Sequence, residues 1–196
     1  MSVTAIIVTE GMTEILPVIE SLPPEWEVIV WDNGAQMVTR SDGWAEVCED
    51  LSIFGRYRAL DYASHELIYV QDDNVIVEDP VLIVKTMSNL RMENSEGPMI
   101  DAVVCNSEAV PEFALGGAGA AFPRHLPGRT FEWFAAHQER GDFFLRNADI
   151  VFTGLTQRVL VEVPFERLST NQRDLAERDQ MIEIVSGLSQ QDWSRA

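Results

Sequence analysis

The 196-residue chain has little positive charge and little cysteine. Its 14 lysine and arginine residues stand against 32 aspartate and glutamate residues, so the formal net charge is −18 at pH 7. Such a charge repels both a phosphate backbone and an anionic membrane surface, and it therefore disfavours nucleic acids and lipid headgroups as partners. Two cysteines, Cys48 and Cys105, are too few for a disulfide framework and favour a reducing compartment.

Long hydrophobic runs and a secretory signal are also missing. No apolar stretch approaches the ~20 residues that cross a bilayer as a helix. The apolar run at residues 5–8 ends at Thr9 and Glu10, without a basic start or a small-residue cleavage site. We therefore expect a cytoplasmic protein without a membrane span. The length and the 46% hydrophobic content suit one globular domain, residues 1–196.

The sequence does contain an alternation of short apolar strands and helices. Strands are predicted at residues 3–8, 27–31, 67–70, 100–105 and 159–163. Helices are predicted at residues 13–22, 79–90, 130–140, 149–155 and 174–185. Less regular segments are a possible strand at 51–54, a helical turn at 57–64 and a loop or strand at 116–122. The alternation predicts an α/β fold, in which helices pack on a sheet.

Acidic residues cluster where the predicted strands end. Asp32 follows the second strand, and Asp72, Asp73 and Asn74 follow the third. In open α/β sheets the ligand binds beyond the carboxyl ends of the strands. Adjacent carboxylates followed by an amide can hold Mg²⁺ or Mn²⁺ and leave positions open for phosphate oxygens. The alternative is that this Asp-Asp-Asn turn only ends a strand, because these residues are common in turns.

Five segments carry a family resemblance. They are Trp31-Asp32-Asn33-Gly34 at a strand end, Gly55-Arg56-Tyr57, Gln71-Asp72-Asp73-Asn74, Gly119-Ala120-Ala121-Phe122 and Asn147-Ala148-Asp149-Ile150. In this order they resemble the nucleotide-sugar glycosyltransferases of the GT-A fold, most closely the exostosin-like branch. The resemblance covers residues 3–155. It implies a single-domain GT-A fold, which is a Rossmann-like mixed sheet flanked by helices.

The resemblance also implies an activity and a set of site residues. The activity is transfer of a sugar from a nucleoside diphosphate sugar, expected to be a UDP-sugar, to an acceptor hydroxyl on a glycan or small molecule. The site residues comprise Asp149 at the reacting centre, Asp73 and Asn74 as ligands of Mn²⁺ or Mg²⁺, Gly119, Ala120 and Ala121 in the sugar and acceptor pocket, and Thr9, Asp32, Asn33, Arg56, Asp72 and Asp73 at the donor.

Two of these assignments have alternatives. Asp149 would be the general base of an inverting reaction, or would stabilise the sugar cation or orient the acceptor in a retaining one. An aspartate near a helix start is equally typical of a helix cap. Arg178 lies in a polar segment that enters the last helix, and it either reaches the donor diphosphate or belongs to an exposed helix entry.

Departures from the family pattern keep two other functions open. Asn74 stands where the family has a third acidic residue, Ala148 replaces a glutamate, and the loop at residues 9–12 lacks an arginine. These changes motivate a non-catalytic nucleotide- or sugar-binding module. A nucleotidyltransferase of related fold is the other alternative, but it requires a glycine-rich basic loop, whereas residues 10–12 supply one glycine and no cation.

Overall fold

An eight-stranded mixed sheet organises the computed structural model, which describes residues 1–11, 15–93, 101–105, 116–168 and 175–189. The strands of this sheet and of a small second sheet are β1 (Val3–Thr9), β2 (Glu27–Asp32), β3 (Met37–Arg40), β4 (Ala45–Val47), β5 (Leu67–Asp72), β6 (Val75–Val77), β7 (Ala102–Cys105), β8 (Ala120–Pro123), β9 (Arg158–Val161) and β10 (Phe165–Arg167). The helices are α1 (Leu16–Glu20), α2 (Gly55–Arg58), α3 (Pro80–Glu93), α4 (Leu126–Ala135), α5 (Asp142–Arg146), α6 (Ala148–Leu155) and α7 (Leu175–Ser189). Short 3₁₀ turns occupy Ser52–Phe54, Ala59–Tyr62 and Gly116–Ala118.

The strand order places three parallel strands in the middle of the large sheet. The order is β4-β3-β2-β1-β5-β8-β7-β9, and β1 is parallel to both β2 and β5. Strand β8 runs antiparallel between β5 and β7, and the β3–β4 hairpin extends the sheet beyond β2. The second sheet pairs β6 with β10. The carboxyl ends of β1, β2 and β5 therefore meet at one edge of the large sheet.

Helices cover both faces of the sheet because its central strands are apolar on both sides. Ile6 and Val8 of β1 lie in one core, whereas Ala5 and Ile7 lie in the other, as the two-residue period of a strand requires. Helices α4, α6 and α7 bury side chains in the first core, and α1 and α3 bury theirs in the second. This arrangement confirms the predicted α/β fold with a mixed sheet flanked by helices.

Most of the long elements follow the sequence predictions. The five predicted strands correspond to β1, β2, β5, β7 and β9, and the five predicted helices correspond to α1, α3, α4, α6 and α7. Residues 13, 14, 100 and 174 of these predictions lie outside the described residues. The bounds 130–140 are wrong for α4, which begins at Leu126 with a proline in its first turn. Proline is tolerated there because a first-turn N–H has no partner within the helix.

The predicted strand at 51–54 is wrong, and the helical turn predicted at 57–64 is confirmed. Ser52 has a φ of 51°, and its N–H donates to Asp50 Oδ1 at 3.0 Å. Such a local bond from a side chain to the backbone competes with pairing in a sheet. The segment therefore forms a 3₁₀ turn that continues into α2 and then into the turn Ala59–Tyr62.

Short elements escaped the sequence analysis. These are β3, β4, β6, β10 and α5, each of three to five residues. Residues 116–122 contain a 3₁₀ turn and then β8. Cys48 and Cys105 form no disulfide. Within the described ranges, no helix combines the length and the hydrophobicity that crossing a membrane requires.

Candidate functional site

Three of the predicted donor-binding residues meet at the ends of β1, β2 and β5. In the sheet register Thr9 pairs with Asp32, and Val8 pairs with Asp72. The Thr9 carbonyl also accepts the N–H of Asn33 at 2.9 Å. Parallel pairing thus brings residues 9, 32 and 72 to one edge of the sheet, where α/β proteins place their ligands.

Arg56 joins two carboxylates that are distant in the chain. Its Nη2 pairs with Asp72 Oδ1, and its Nη1 lies 3.1 Å from Asp149 Oδ2. The Tyr57 hydroxyl donates to Asp149 Oδ1 at 2.8 Å. Arg56 and Asp149 are only 1% and 2% exposed, whereas the side chain of Asp72 is 13% exposed. The network therefore lies inside the protein and approaches the surface at Asp72.

Electrostatics explains why these charged groups are buried together. Burial alone would lower the pKa of Arg56, but the carboxylates of Asp149 and Asp72 raise it above its usual value. Burial, and then the Asp149 carboxylate, raise the pKa of Tyr57 well above its usual value. Asp149 therefore faces a permanent positive charge and a protonated hydroxyl, which together offset the cost of burying a carboxylate.

Asn33 and Gly55 fix the position of α2 relative to the end of β2. The Asn33 side chain accepts from Trp31 Nε1 at 3.0 Å and from the Leu51 N–H at 3.1 Å, and it donates to the Ser52 carbonyl at 2.9 Å. Gly55 packs directly on the Trp31 indole, where a Cβ would overlap the ring. The segment leading into α2 is therefore fixed against β2. The Asn33 side chain serves this purpose, and its contact with a donor stays a prediction.

The turn between β5 and β6 presents the predicted metal ligands. Asp73 and Asn74 are 7% and 3% exposed. The Asn74 carbonyl accepts the Leu168 N–H at 2.8 Å, beside the pairing of β6 with β10. On the other side, Gln71 Nε2 donates to the Val75 carbonyl at 3.0 Å. The backbone of the turn is thus held from two directions.

The side chains of Asp73 and Asn74 suit a cation that binds together with a diphosphate. A carboxylate and an amide are oxygen ligands, which Mg²⁺ and Mn²⁺ prefer. Among the described residues, no group of three or more His, Cys, Asp or Glu side chains is placed to hold a metal. A cation at Asp73 and Asn74 would therefore need further oxygen ligands, which a bound diphosphate can supply. Mg²⁺ sites with one or two carboxylates, completed by substrate phosphates, have this composition.

Gly117 is a site residue that the sequence analysis did not single out. It packs so closely on the Asp72 carboxylate that a Cβ would overlap the carboxylate. The run of glycines at residues 116, 117 and 119 was a signal that could have indicated this close approach. Gly119, Ala120 and Ala121 are buried at β8, and Gly119 has a φ of +108°. Their role in a sugar and acceptor pocket stays a prediction.

Two other predicted donor residues lie in different settings. Asp32 Oδ1 accepts the Ala35 N–H at 3.0 Å and thereby closes the turn after β2. Arg178 is half-buried in α7, next to Glu177, which pairs with Arg146 at 2.9 Å. Donor contacts of Asp32 and Arg178 stay predictions.

A cavity of about 650 Å³ lies between residues 54–61 and the start of α4, away from the strand ends. Tyr57 belongs to its lining and to the Asp149 network. Two of its arginines are already paired, Arg58 with Asp61 and Arg124 with Glu66. We place the candidate site at the strand ends because the carboxylates, the buried arginine and the acidic turn converge there.

Comparisons with known proteins support the fold. The structure resembles the mannosyltransferase PcManGT from Pyrobaculum calidifontis in complex with GDP-Man and Mn²⁺, with a TM-score of 0.60 and 16% identity over 97% of this chain. It also resembles residues 1–349 of S. aureus TarS, with a TM-score of 0.53 and 13% identity over 93% of this chain and 69% of that one. This chain spans 64% of the length of the mannosyltransferase. No family model and no curated protein matches the sequence. The chain therefore has a glycosyltransferase fold, and its resemblance to the exostosin-like branch stays a prediction.

Proposed function

We propose that this protein transfers a sugar from a nucleoside diphosphate sugar to an acceptor hydroxyl, with the help of a divalent cation. The observation that supports the proposal most directly is the convergence of Asp72, Arg56 and Asp149 beside the Asp73-Asn74 turn, at the carboxyl ends of the parallel strands. Fold likeness to a mannosyltransferase with GDP-Man and Mn²⁺ is consistent with this chemistry. The donor is proposed to be a UDP-sugar, with the guanine nucleotide as the first alternative to test.

The charge of the site is the reason for requiring a cation. Asp72, Asp73 and Asp149 bring three carboxylates to this region, and Arg56 is the cation that the described contacts place among them. A diphosphate would add further negative charge, so its binding requires a compensating cation. Mn²⁺ or Mg²⁺ at Asp73 and Asn74 would neutralise the diphosphate leaving group as a Lewis acid.

Other residues of the chain are proposed to bind the nucleoside and to act at the reacting centre. Thr9 and Asp32, at adjacent strand ends, are proposed to receive the nucleoside, since side chains there face the ligand crevice of an open sheet. Asp149 is proposed to contact the reacting centre. In an inverting reaction it accepts the proton of the acceptor hydroxyl, and in a retaining reaction it orients that hydroxyl or stabilises the sugar cation. The acceptor is a glycan or a small molecule, because a net charge of −18 repels nucleic acid.

Calorimetric binding of nucleotides tests the donor site without knowledge of the acceptor. UDP, GDP, ADP and TDP are each titrated with and without Mn²⁺. We expect one nucleotide to bind only in the presence of Mn²⁺, because the cation offsets the repulsion between diphosphate and carboxylates. Asp73→Ala should weaken that binding by at least about tenfold, because it removes the charged cation ligand. Asp42→Ala is the matched control, since Asp42 is an exposed aspartate of the β3–β4 hairpin.

The outcomes separate the proposed function from its alternatives. Hydrolysis or transfer of the matching nucleotide sugar, lost in Asp149→Asn while nucleotide binding persists, is expected for a transferase. Binding without turnover of any nucleotide sugar would instead indicate a non-catalytic binding module. Failure of all four nucleotides to bind would contradict the donor site itself.

A further inference from the structure

The two oxygens of the Asp149 carboxylate have different surroundings. Oδ1 accepts the Tyr57 hydroxyl at 2.8 Å. Oδ2 lies 3.1 Å from Arg56 Nη1, but the alignment is too poor for a hydrogen bond, and within the described ranges Oδ2 accepts none. One oxygen is therefore anchored, and the other retains its capacity to accept a hydrogen bond.

The anchor itself cannot move easily. The Tyr57 ring packs edge-on against Phe131, with ring centroids 4.8 Å apart, and it also contacts Phe122 and Phe152 at 6.4 and 5.5 Å. Phe152 lies on α6, the helix that carries Asp149. These three aromatic contacts restrict the rotamers that the Tyr57 ring can adopt, although part of the residue also lines the cavity. The hydroxyl is consequently held at a defined position relative to α6.

Tyr57 and Arg56 also act from the same rigid element. Both belong to α2, which Asn33 and the Trp31 indole hold against the end of β2. A single short helix therefore connects the strand end to Asp72 through Arg56 and to Asp149 through both side chains. Any displacement of α2 would move the Arg56 guanidinium and the Tyr57 hydroxyl together.

We propose that Tyr57 is a positioning residue for Asp149: its hydroxyl anchors Oδ1 and thereby fixes the orientation of the carboxylate, with Oδ2 beside Arg56. This inference rests on the proposed function, because it assumes that Asp149 contacts the reacting centre. Without the hydroxyl, the Asp149 carboxylate would lose its hydrogen bond at Oδ1 and with it a fixed orientation.

The hydrogen bond can be tested without measuring activity. The chain has three tyrosines, so labelling with tyrosine that carries ¹³C at Cζ yields three resonances, and the one lost in Tyr57→Phe belongs to Tyr57. In Asp149→Asn the acceptor loses its charge. We expect the Tyr57 resonance to shift by more than those of Tyr62 and Tyr69. A Tyr57 resonance that does not move would overturn the proposal.

The positioning role is tested by comparing kcat with nucleotide binding. Tyr57→Phe keeps the ring and its aromatic contacts but removes the hydroxyl. We expect kcat to fall by about 10- to 100-fold, as misplacement of a reacting group does, while the dissociation constant for the nucleotide with Mn²⁺ is unchanged. Tyr62→Phe is the matched control, because the Tyr62 ring packs on Trp44, with ring centroids 5.4 Å apart, and its hydroxyl lies near Glu46. Its kcat should equal that of the wild type.

Each result of this comparison decides the matter. Full kcat in Tyr57→Phe would overturn the positioning role and leave the proposed function intact. Nucleotide binding without any turnover in the wild-type protein would refute both transfer and positioning, whatever the NMR shows. An equal loss of kcat and of nucleotide affinity would indicate general structural damage, and it would also overturn the proposal.

Discussion

At the scale of the residue, the position of the Asp72 carboxylate depends on the absence of a side chain at Gly117. The Asp72 carboxylate occupies the space in which a Cβ of residue 117 would lie, and Arg56 holds that carboxylate from the other side. A flexible side chain could give way to an added methyl group at little cost. Asp72 cannot do so without leaving its ion pair, which would uncover the buried charge of Arg56.

Gly117→Ala should therefore reduce both stability and donor binding. Overpacking of this kind costs about 1–3 kcal/mol of unfolding free energy, and displacement of Asp72 should weaken the metal-dependent binding of the nucleotide. Urea unfolding and calorimetry measure the two effects. Gly187→Ala is the matched control, because among the described residues no atom beyond the adjoining helix backbone and chain neighbours lies within 4 Å of the added Cβ. Alanine there should stabilise α7 by about 0.5–1 kcal/mol. Wild-type stability and binding in Gly117→Ala would refute the close approach.

At the scale of the elements, Glu27 ties several strands together at the amino-terminal edge of the sheet, opposite the candidate site. Its carboxylate accepts hydrogen bonds from Thr4 of β1 and from the N–H and hydroxyl of Ser64, at 2.8 and 2.9 Å, before β5. Arg40 of β3 contributes an ion pair at 2.7 Å. Burial by itself would raise the pKa of Glu27. The hydrogen bonds and Arg40 together lower the pKa by more than burial raises it, so it lies below its usual 4.5.

The lowered pKa makes the contribution of Glu27 to stability dependent on pH. Because the folded protein binds this proton more weakly than the unfolded chain does, the contribution is complete above about pH 4.5 and is lost as the pH falls through the lower folded value. Glu27→Gln should cost about 1–2 kcal/mol near neutral pH, and the difference from the wild type should shrink in acid. Urea unfolding at a series of pH values measures this difference.

The control for this experiment is Glu25→Gln, two residues earlier at an exposed position. Its stability should follow that of the wild type at each pH. A difference between Glu27→Gln and the wild type that stays constant from neutral to acidic pH would show that the carboxylate charge does not link these strands.

At the scale of the whole molecule, the excess of negative charge opposes the compact state. A formal charge of −18 on one chain produces repulsion over its whole surface, and exposed ion pairs such as Arg58 with Asp61 add little stability. Salt screens this repulsion, with a Debye length of about 10 Å at 0.1 M. We therefore expect the melting temperature to rise as NaCl is increased from about 10 to about 200 mM.

Differential scanning calorimetry in NaCl and in KCl checks this expectation. The two salts should raise the melting temperature equally, because screening depends on ionic strength and not on the identity of the cation. A melting temperature that falls with salt would mean that attractive ion pairs outweigh the net repulsion.

The main elements, and the edge of the sheet at which the candidate site lies, could be predicted from local sequence signals. Apolar runs marked β1, β2 and β5, and the acidic residues after them marked the carboxyl ends. Both signals are local, because a strand buried on both faces must be apolar along its length and the ligand end of a parallel strand must be polar. The strands β3, β4, β6 and β10 have only three or four residues each, which is too short for a strand pattern to be recognised.

The contacts between distant side chains depend on how the elements pack. Tyr57 and Asp149 are 92 positions apart, and their hydrogen bond depends on how α6 packs over α2. The contact of Gly117 with Asp72 depends in the same way on the place of β8 beside β5. Neither follows from periodicity, because the period of a strand or helix specifies which face is buried and not which distant residue covers it. The burial of Arg56 between two carboxylates is therefore a property of the folded chain alone.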